Sequence, residues 1–151
     1  MSTRPSARWS RRVSASRGLA QSNPFTARLF EVIDLIRACR LDAAHALATQ
    51  IRGEAIAAGD DEAAGRSSSS LGEIAGIRGQ LEAAMREYGD AIERLENTDL
   101  AGSISRAYRG WAYCYLMFQM PRLALHPVRE AWRMEELIDV PETRHRARFE
   151  C

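Results

Sequence analysis

Lysine is absent from this chain, and cysteine and histidine are scarce. All 21 basic residues are arginine, which we ascribe to coding bias and from which we infer no function. The three cysteines, Cys39, Cys114 and Cys151, form no CxxC pair, and no histidine stands at metal-ligand spacing from a cysteine or an acid. This pattern predicts no metal site, no cofactor and a reducing, cytoplasmic setting. We expect Cys39 and Cys114 to be buried helix residues, because a free cysteine behaves as a small hydrophobe.

Long apolar segments and catalytic motifs are missing as well. The longest strongly apolar run, Trp111 to Met120, is about half of the ~20 residues that a membrane-spanning helix needs. The chain contains no nucleophile elbow, no phosphate-binding glycine loop and no HExxH motif. Glu135 and Glu136 are adjacent on a predicted helix, so their carboxylates point apart. We therefore expect no membrane partner and no enzymatic activity in this chain.

The charge is distributed unevenly along the chain. Residues 1–28 hold six arginines and no acid, whereas the remainder holds 15 arginines against 20 acids, a net charge of −5. We predict that residues 1–22 form a disordered basic leader. The alternatives are an arm that binds nucleic acid or a membrane surface, and a targeting signal. Residues 10–13 resemble a twin-arginine signal but lack the apolar stretch that must follow it, and we expect a protein partner rather than a nucleic acid.

A short phrase recurs at a step of 40 residues. The letters LDAA at 41–44 return as LEAA at 81–84, and a diverged copy, PRLA, stands at 121–124. A fixed period of roughly 20–50 residues is typical of repeat architectures. Apolar residues spaced three and four apart predict helices, and no segment alternates with the period of two that a strand requires. The sequence therefore predicts an all-α repeat fold.

The predicted helices span about 24–39, 42–57, 61–78, 81–96, 99–119 and 121–138, and a truncated seventh begins near 141. Asn23 and Pro24 are typical of a helix start, and Thr98 or Asp99 is expected to cap the fifth helix. Gly59 is expected to end the second helix before an acidic cap. The serine run at 67–70 is a poor helix former, but the repeat register predicts that it is helical.

The second copy carries a recognisable set of positions. Leu71-Gly72 is a large-small pair in its first helix, Gly79 stands in its turn, and small and aromatic residues follow in its second helix at Ala84, Tyr88 and Ala91. This pattern resembles the tetratricopeptide (TPR) repeat family. Small residues let the two helices of a hairpin approach closely, and Tyr88 is expected to fill the space to the next hairpin. In the third copy, Gln119 replaces the turn glycine.

The resemblance implies a TPR-like α-solenoid of three helical hairpins plus a truncated seventh helix. The repeat domain covers 23–151, with repeats at about 23–58, 60–97, 98–138 and a partial one at 141–151. The step of 40 exceeds the family's usual ~34 residues, which implies longer helices, as in extended arrays of bacterial signalling proteins. The rival interpretation is a closed helical bundle, in which each helix buries one stripe toward a shared axis.

In TPR-like arrays the first helix of each hairpin lines a concave groove. Arginine can bind a carboxylate with two parallel hydrogen bonds, and Tyr113 with Met117 can hold an apolar side chain nearby. The resemblance therefore predicts a groove for a peptide with acidic groups. The alternative is a solvated face whose arginines pair with acids one turn away, as expected for Asp90 and Arg94. The predicted partner-binding residues are Arg66, Glu73, Arg106, Arg109, Tyr113, Met117 and Arg146.

Two function classes follow from the resemblance. The first is a protein–protein interaction module that binds a peptide or a partner domain in the groove. The second is the N-terminal regulatory part of a longer bacterial signalling protein, such as a diguanylate cyclase or a transcription regulator, whose output domain is not in this sequence. The apolar residues of the sixth helix, among them Trp132, also leave open a homodimer or another partner at that end of the array.

Overall fold

The computed structural model describes residues 23–138, and this range contains helices and turns but no strand. The predicted all-α fold is therefore confirmed. The predicted leader at 1–22 and the partial repeat at 141–151 lie outside the described residues. The helices are α1 (Thr26–Arg37), α2 (Leu41–Ala58), α3 (Asp61–Ile77), α4 (Leu81–Glu96), α5 (Ala101–Met117) and α6 (Pro121–Glu136).

Neighbouring helices pack in chain order. Three hairpins, α1–α2, α3–α4 and α5–α6, are joined by contacts of α2 with α3 and of α4 with α5. The first helices of the hairpins, α1, α3 and α5, also touch one another in succession. Within residues 23–138, helices further apart in the chain make no extensive contact. This order is typical of stacked repeats, in which each unit packs mainly against its two neighbours.

The turn inside each hairpin has the same geometry in all three copies. Cys39, Gly79 and Gln119, spaced 40 residues apart, have φ angles of +57°, +74° and +58°. In each turn, the N–H of the next residue donates to a carbonyl oxygen five residues back, which closes the helix end as a Schellman-type bond. These bonds are Arg40 to Leu35 (2.9 Å), Gln80 to Ala75 (2.9 Å) and Met120 to Tyr115 (2.8 Å).

Replacing Gln119 by glycine is expected to stabilise the protein by about 1 kcal/mol. A non-glycine residue in the left-handed region costs roughly 1–2 kcal/mol, and glycine avoids most of that strain. The measurement is the free energy of unfolding in urea. Gln119→Ala is the matched control, because alanine also shortens the side chain but keeps the Cβ that causes the strain. Equal stability of the two variants would contradict the argument.

The cysteines divide between turn and core. The prediction that Cys39 is a buried helix residue is wrong, because α1 ends at Arg37 and leaves Cys39 exposed in the turn. The prediction for Cys114 is confirmed, since this residue is buried on α5. Local backbone geometry therefore overrides the apolar character of Cys39.

Two helix starts differ from the prediction. The Asn23 side-chain oxygen accepts the N–H of Phe25 at 2.9 Å in a turn that precedes α1, so Asn23 is not the cap. Thr98 likewise accepts the N–H of Leu100 at 3.4 Å, and Leu100 occupies the cap position of α5. In both places a short polar side chain stabilises a turn before the helix instead of the helix itself.

The boundary between the first two hairpins is as predicted. Gly59 ends α2 with a φ of +71°, and the Asp60 side chain caps α3 by accepting the N–H of Ala63 at 2.9 Å. Asn23 also donates to the Asp60 carboxylate at 2.8 Å, which ties the start of the first hairpin to the start of the second.

Tyr88 forms the junction between the second and third hairpins. Its side chain on α4 is 3% exposed and lies between glycines of α3 and α5. A Cβ added at Gly72 would lie 3.0 Å from the Tyr88 ring, and one added at Gly110 would lie 2.5 Å from the Tyr88 hydroxyl. The predictions that Gly72 permits close packing and that Tyr88 fills the space to the next hairpin are confirmed. Gly110 is a partner that the sequence pattern did not reveal.

Candidate partner-binding groove

A cavity of about 300 Å³ opens along the first helices of the three hairpins. α1, α3 and α5 contact one another in succession, so side chains on their shared face converge there. The end of α4 contributes one residue. The lining consists of Leu29, Ile33, Arg66, Ser69, Ser70, Glu73, Leu95, Gly102, Ser103 and Arg106.

Three of the predicted partner-binding residues meet in this cavity. Arg66 and Glu73 come from α3, and Arg106 comes from α5. Arg66 also lies 3.3 Å from the Glu62 carboxylate one turn away on its own helix. A guanidinium has five N–H donors, so this single pair leaves Arg66 further capacity to donate. Two arginines and one glutamate make the charge of the lining positive.

The other predicted residues lie elsewhere. Arg109 is directed toward the helix that follows, with its Nε 3.9 Å from the Glu135 carboxylate of α6. Tyr113 and Met117 are both 62% exposed on α5 and do not line the cavity. Arg146 lies outside the described residues. The structure thus places Arg66, Glu73 and Arg106 together and separates the remaining four from them.

Sequence reasoning missed half of the cavity lining. Leu29 was assigned to the buried stripe of the first helix, and Leu95 belongs to a second helix, where no groove residue was expected. Ser69 and Ser103 lie three residues from Arg66 and Arg106, respectively, on the same helices. Spacing of three residues places side chains on one helix face, so this signal was available for the two serines.

The serine run allows α3 to occupy the centre of the array. α3 contacts α1, α2, α4 and α5, and small side chains allow this close packing. The prediction that 67–70 is helical is confirmed. The three buried hydroxyls all find acceptors: Ser67 donates to the Ala63 carbonyl at 2.8 Å, Ser68 to the Asp90 carboxylate at 2.5 Å, and Ser70 to the Arg66 carbonyl at 3.3 Å.

Asp90 links α3 to α4 by accepting from both helices. Ser68 donates to it, and Arg94 Nε donates at 3.0 Å, which confirms the predicted Asp90–Arg94 pair. Burial alone would raise the pKa of Asp90, but the hydrogen bonds from Ser68 and Arg94 outweigh burial and lower the pKa below its ordinary value. The carboxylate is therefore ionised at neutral pH and fixes α4 beside the cavity.

Tyr88 and Cys114 are neutral groups behind the groove. Burial is the main cause that raises the pKa of Tyr88 above its usual value. Burial also raises the pKa of the Cys114 thiol, and the Glu73 carboxylate adds to that rise. A protonated, buried thiol is a poor nucleophile, so Cys114 serves packing here. Its sulphur would lie 2.7 Å from a Cβ added at Gly76, in the same junction as Tyr88.

Metal binding and membrane insertion find no support in residues 23–138. No three His, Cys, Asp or Glu side chains in this range come together as metal ligands would. None of the helices described there is long and apolar enough to cross a membrane.

Comparisons with protein-family models, with curated proteins and with solved structures find no match to this chain.

Proposed function

We propose that this chain is a protein-interaction module whose groove along α1, α3 and α5 binds an acidic segment of a partner protein. The observation that carries the proposal is the convergence of Arg66 and Arg106, from two different hairpins, at one cavity. Two guanidinium groups beside serine hydroxyls form a donor-rich lining, and such groups bind carboxylates well. Leu29, Ile33 and Leu95 add apolar surface, which favours an aliphatic side chain next to the acidic one.

The TPR-like character of the repeats is part of the proposal. The recurring turn geometry at Cys39, Gly79 and Gln119 and the packing of Tyr88 against Gly72 support it. A cytoplasmic location also belongs to the proposal, and the free, buried Cys114 is consistent with it.

Arg106→Glu is expected to weaken binding of an acidic peptide at least tenfold. The probe is a fluorescein-labelled decapeptide of alternating Leu and Glu, and the measurement is fluorescence anisotropy at low salt. The same peptide with Gln in place of Glu should bind at least tenfold more weakly to the native chain, because it lacks the carboxylates that the arginines recognise. Raising the salt concentration should weaken the Glu peptide selectively.

Arg86→Glu is the matched control for this experiment. Arg86 is an exposed arginine of α4 that does not line the cavity, so the variant makes the same charge change away from the groove. Glu73→Gln should tighten binding a few-fold, because it removes a like charge from the lining. Equal affinity for the Glu and Gln peptides, or equal losses from Arg86→Glu and Arg106→Glu, would refute the proposed groove.

A further inference from the structure

An apolar stripe runs along the outer face of α6. Leu125, Val128 and Trp132 are 54%, 40% and 53% exposed. Their spacing of three and four residues places them on one face of the helix. The opposite face of α6 packs into the third hairpin through the buried residues Ala124, Pro127 and Ala131.

The repeat register identifies what this stripe corresponds to. Forty residues earlier, the same positions of α4 are Met85, Tyr88 and Ile92. On α4 they pack toward the next hairpin: Tyr88 lies against Gly110 of α5, and Ile92 shares a buried cluster with residues of α5. The α6 stripe therefore has the position and the apolar character of an inter-hairpin contact, yet it is exposed.

Charges at the two ends of this face make it complementary to itself. Arg122, near the start of α6, and Glu136, at its end, are exposed and lie equally far from Arg129. A period of about 3.6 residues puts both within roughly one side-chain width of the stripe. When two such helices meet antiparallel, Arg122 of each copy lies beside Glu136 of the other, and Leu125 lies against Trp132. A parallel pairing would instead place Arg122 beside Arg122.

We propose that two copies of this chain associate about a two-fold axis through antiparallel α6 helices, with the Leu125–Val128–Trp132 stripe at the centre. A two-fold contact needs a surface that is complementary to itself, and this face has an apolar centre with opposite charges at its ends. The dimer covers the face of α6 that the register marks as a contact surface. The groove on α1, α3 and α5 is a separate surface and stands or falls on the peptide experiment.

The test is the mass of the full chain in solution. Sedimentation equilibrium of the native chain, from low to high micromolar concentration, should show a monomer–dimer equilibrium. Leu125→Glu should raise the dissociation constant at least tenfold, because it places two carboxylates in the apolar centre. Leu123→Glu is the matched control: Leu123 is 53% exposed on the same helix but lies off the stripe, so the dimer should persist. Circular dichroism checks that both variants keep their helices.

Charge reversal tests the antiparallel arrangement. Arg122→Glu and Glu136→Arg should each weaken the dimer, and the double variant should recover most of the lost affinity, because each end again carries opposite charges. A double variant that is weaker than both single variants overturns the arrangement. A native chain that stays monomeric throughout also overturns the proposal. In that monomer, destabilisation by Leu125→Glu would point to coverage by the chain's own residues, and unchanged stability to a different partner.

Discussion

Replacing Tyr88 by alanine should lower the free energy of unfolding by about 3–5 kcal/mol. The ring is buried at the junction of α3, α4 and α5, and removing a buried aromatic side chain costs this much because a cavity remains. The glycines on both sides, Gly72 and Gly110, carry no side chains that could move into the space. The measurement is equilibrium unfolding in urea, supported by the melting temperature.

Tyr113→Ala is the control for this prediction. Tyr113 is a tyrosine of α5 that is 62% exposed, so the same substitution there should change the stability by only about 0.5 kcal/mol. Tyr88→Phe, which keeps the ring, should cost about 1 kcal/mol or less. If Tyr88→Ala and Tyr113→Ala had similar effects, the third hairpin would not depend on Tyr88.

Gly110→Ala should destabilise the protein, whereas Gly53→Ala should stabilise it. A Cβ at Gly110 would lie 2.5 Å from the Tyr88 hydroxyl and 2.7 Å from two ring carbons, so either the ring or the helix must shift. Overpacking of this kind costs about 1–3 kcal/mol, which exceeds the gain of up to about 1 kcal/mol from placing alanine in a helix. Nothing lies within 4 Å of a Cβ at Gly53, so only the gain applies there.

The opposite signs of these two effects make the prediction sharp. The two variants should differ by about 2–3 kcal/mol in free energy of unfolding, although both make the same substitution inside a helix. Tyr88→Phe removes the atom nearest to the added methyl group, so it should recover part of the loss in a Gly110→Ala background. Two stabilised variants would show that α4 and α5 are not packed this closely.

The Tyr88 junction also connects stability to the proposed function. It holds α3 next to α5, and these two helices supply Arg66, Glu73 and Arg106. Variants at the junction should therefore be measured for peptide binding as well as for stability. Variants of α6, such as Leu125→Glu, should leave peptide binding unchanged because α6 contributes no residue to the cavity lining.

Regular local features of this chain were predictable, and irregular ones were not. The helices, the cap at Asp60 and the turn at Gly79 follow from short-range patterns, and the structure contains them. The starts of α1 and α5 were misassigned because Asn23 and Thr98 have two local options: capping a helix or stabilising a turn before it. Such options differ by little free energy, so composition does not decide between them.

The cavity shows the same division at longer range. Helical periodicity placed Arg66, Glu73 and Arg106 on one face, and these three residues do meet. Periodicity placed Arg109 beside them, but the Glu135 carboxylate of α6 lies within ion-pair distance of it. Leu95 was missed because it enters the cavity from the end of a second helix. Neither fact can be derived from the phase of a single helix.

Bonds between near neighbours in the chain are written in its amino-acid order, which is why helices, turns and the 40-residue step can be read from it directly. Contacts between hairpins depend on how closely and at what angle the helices pack. The seating of Tyr88 against Gly110 and the meeting of Arg66 with Arg106 became apparent only when the hairpins were assembled. Packing of many side chains at once decides those contacts, and a one-dimensional pattern does not carry that information.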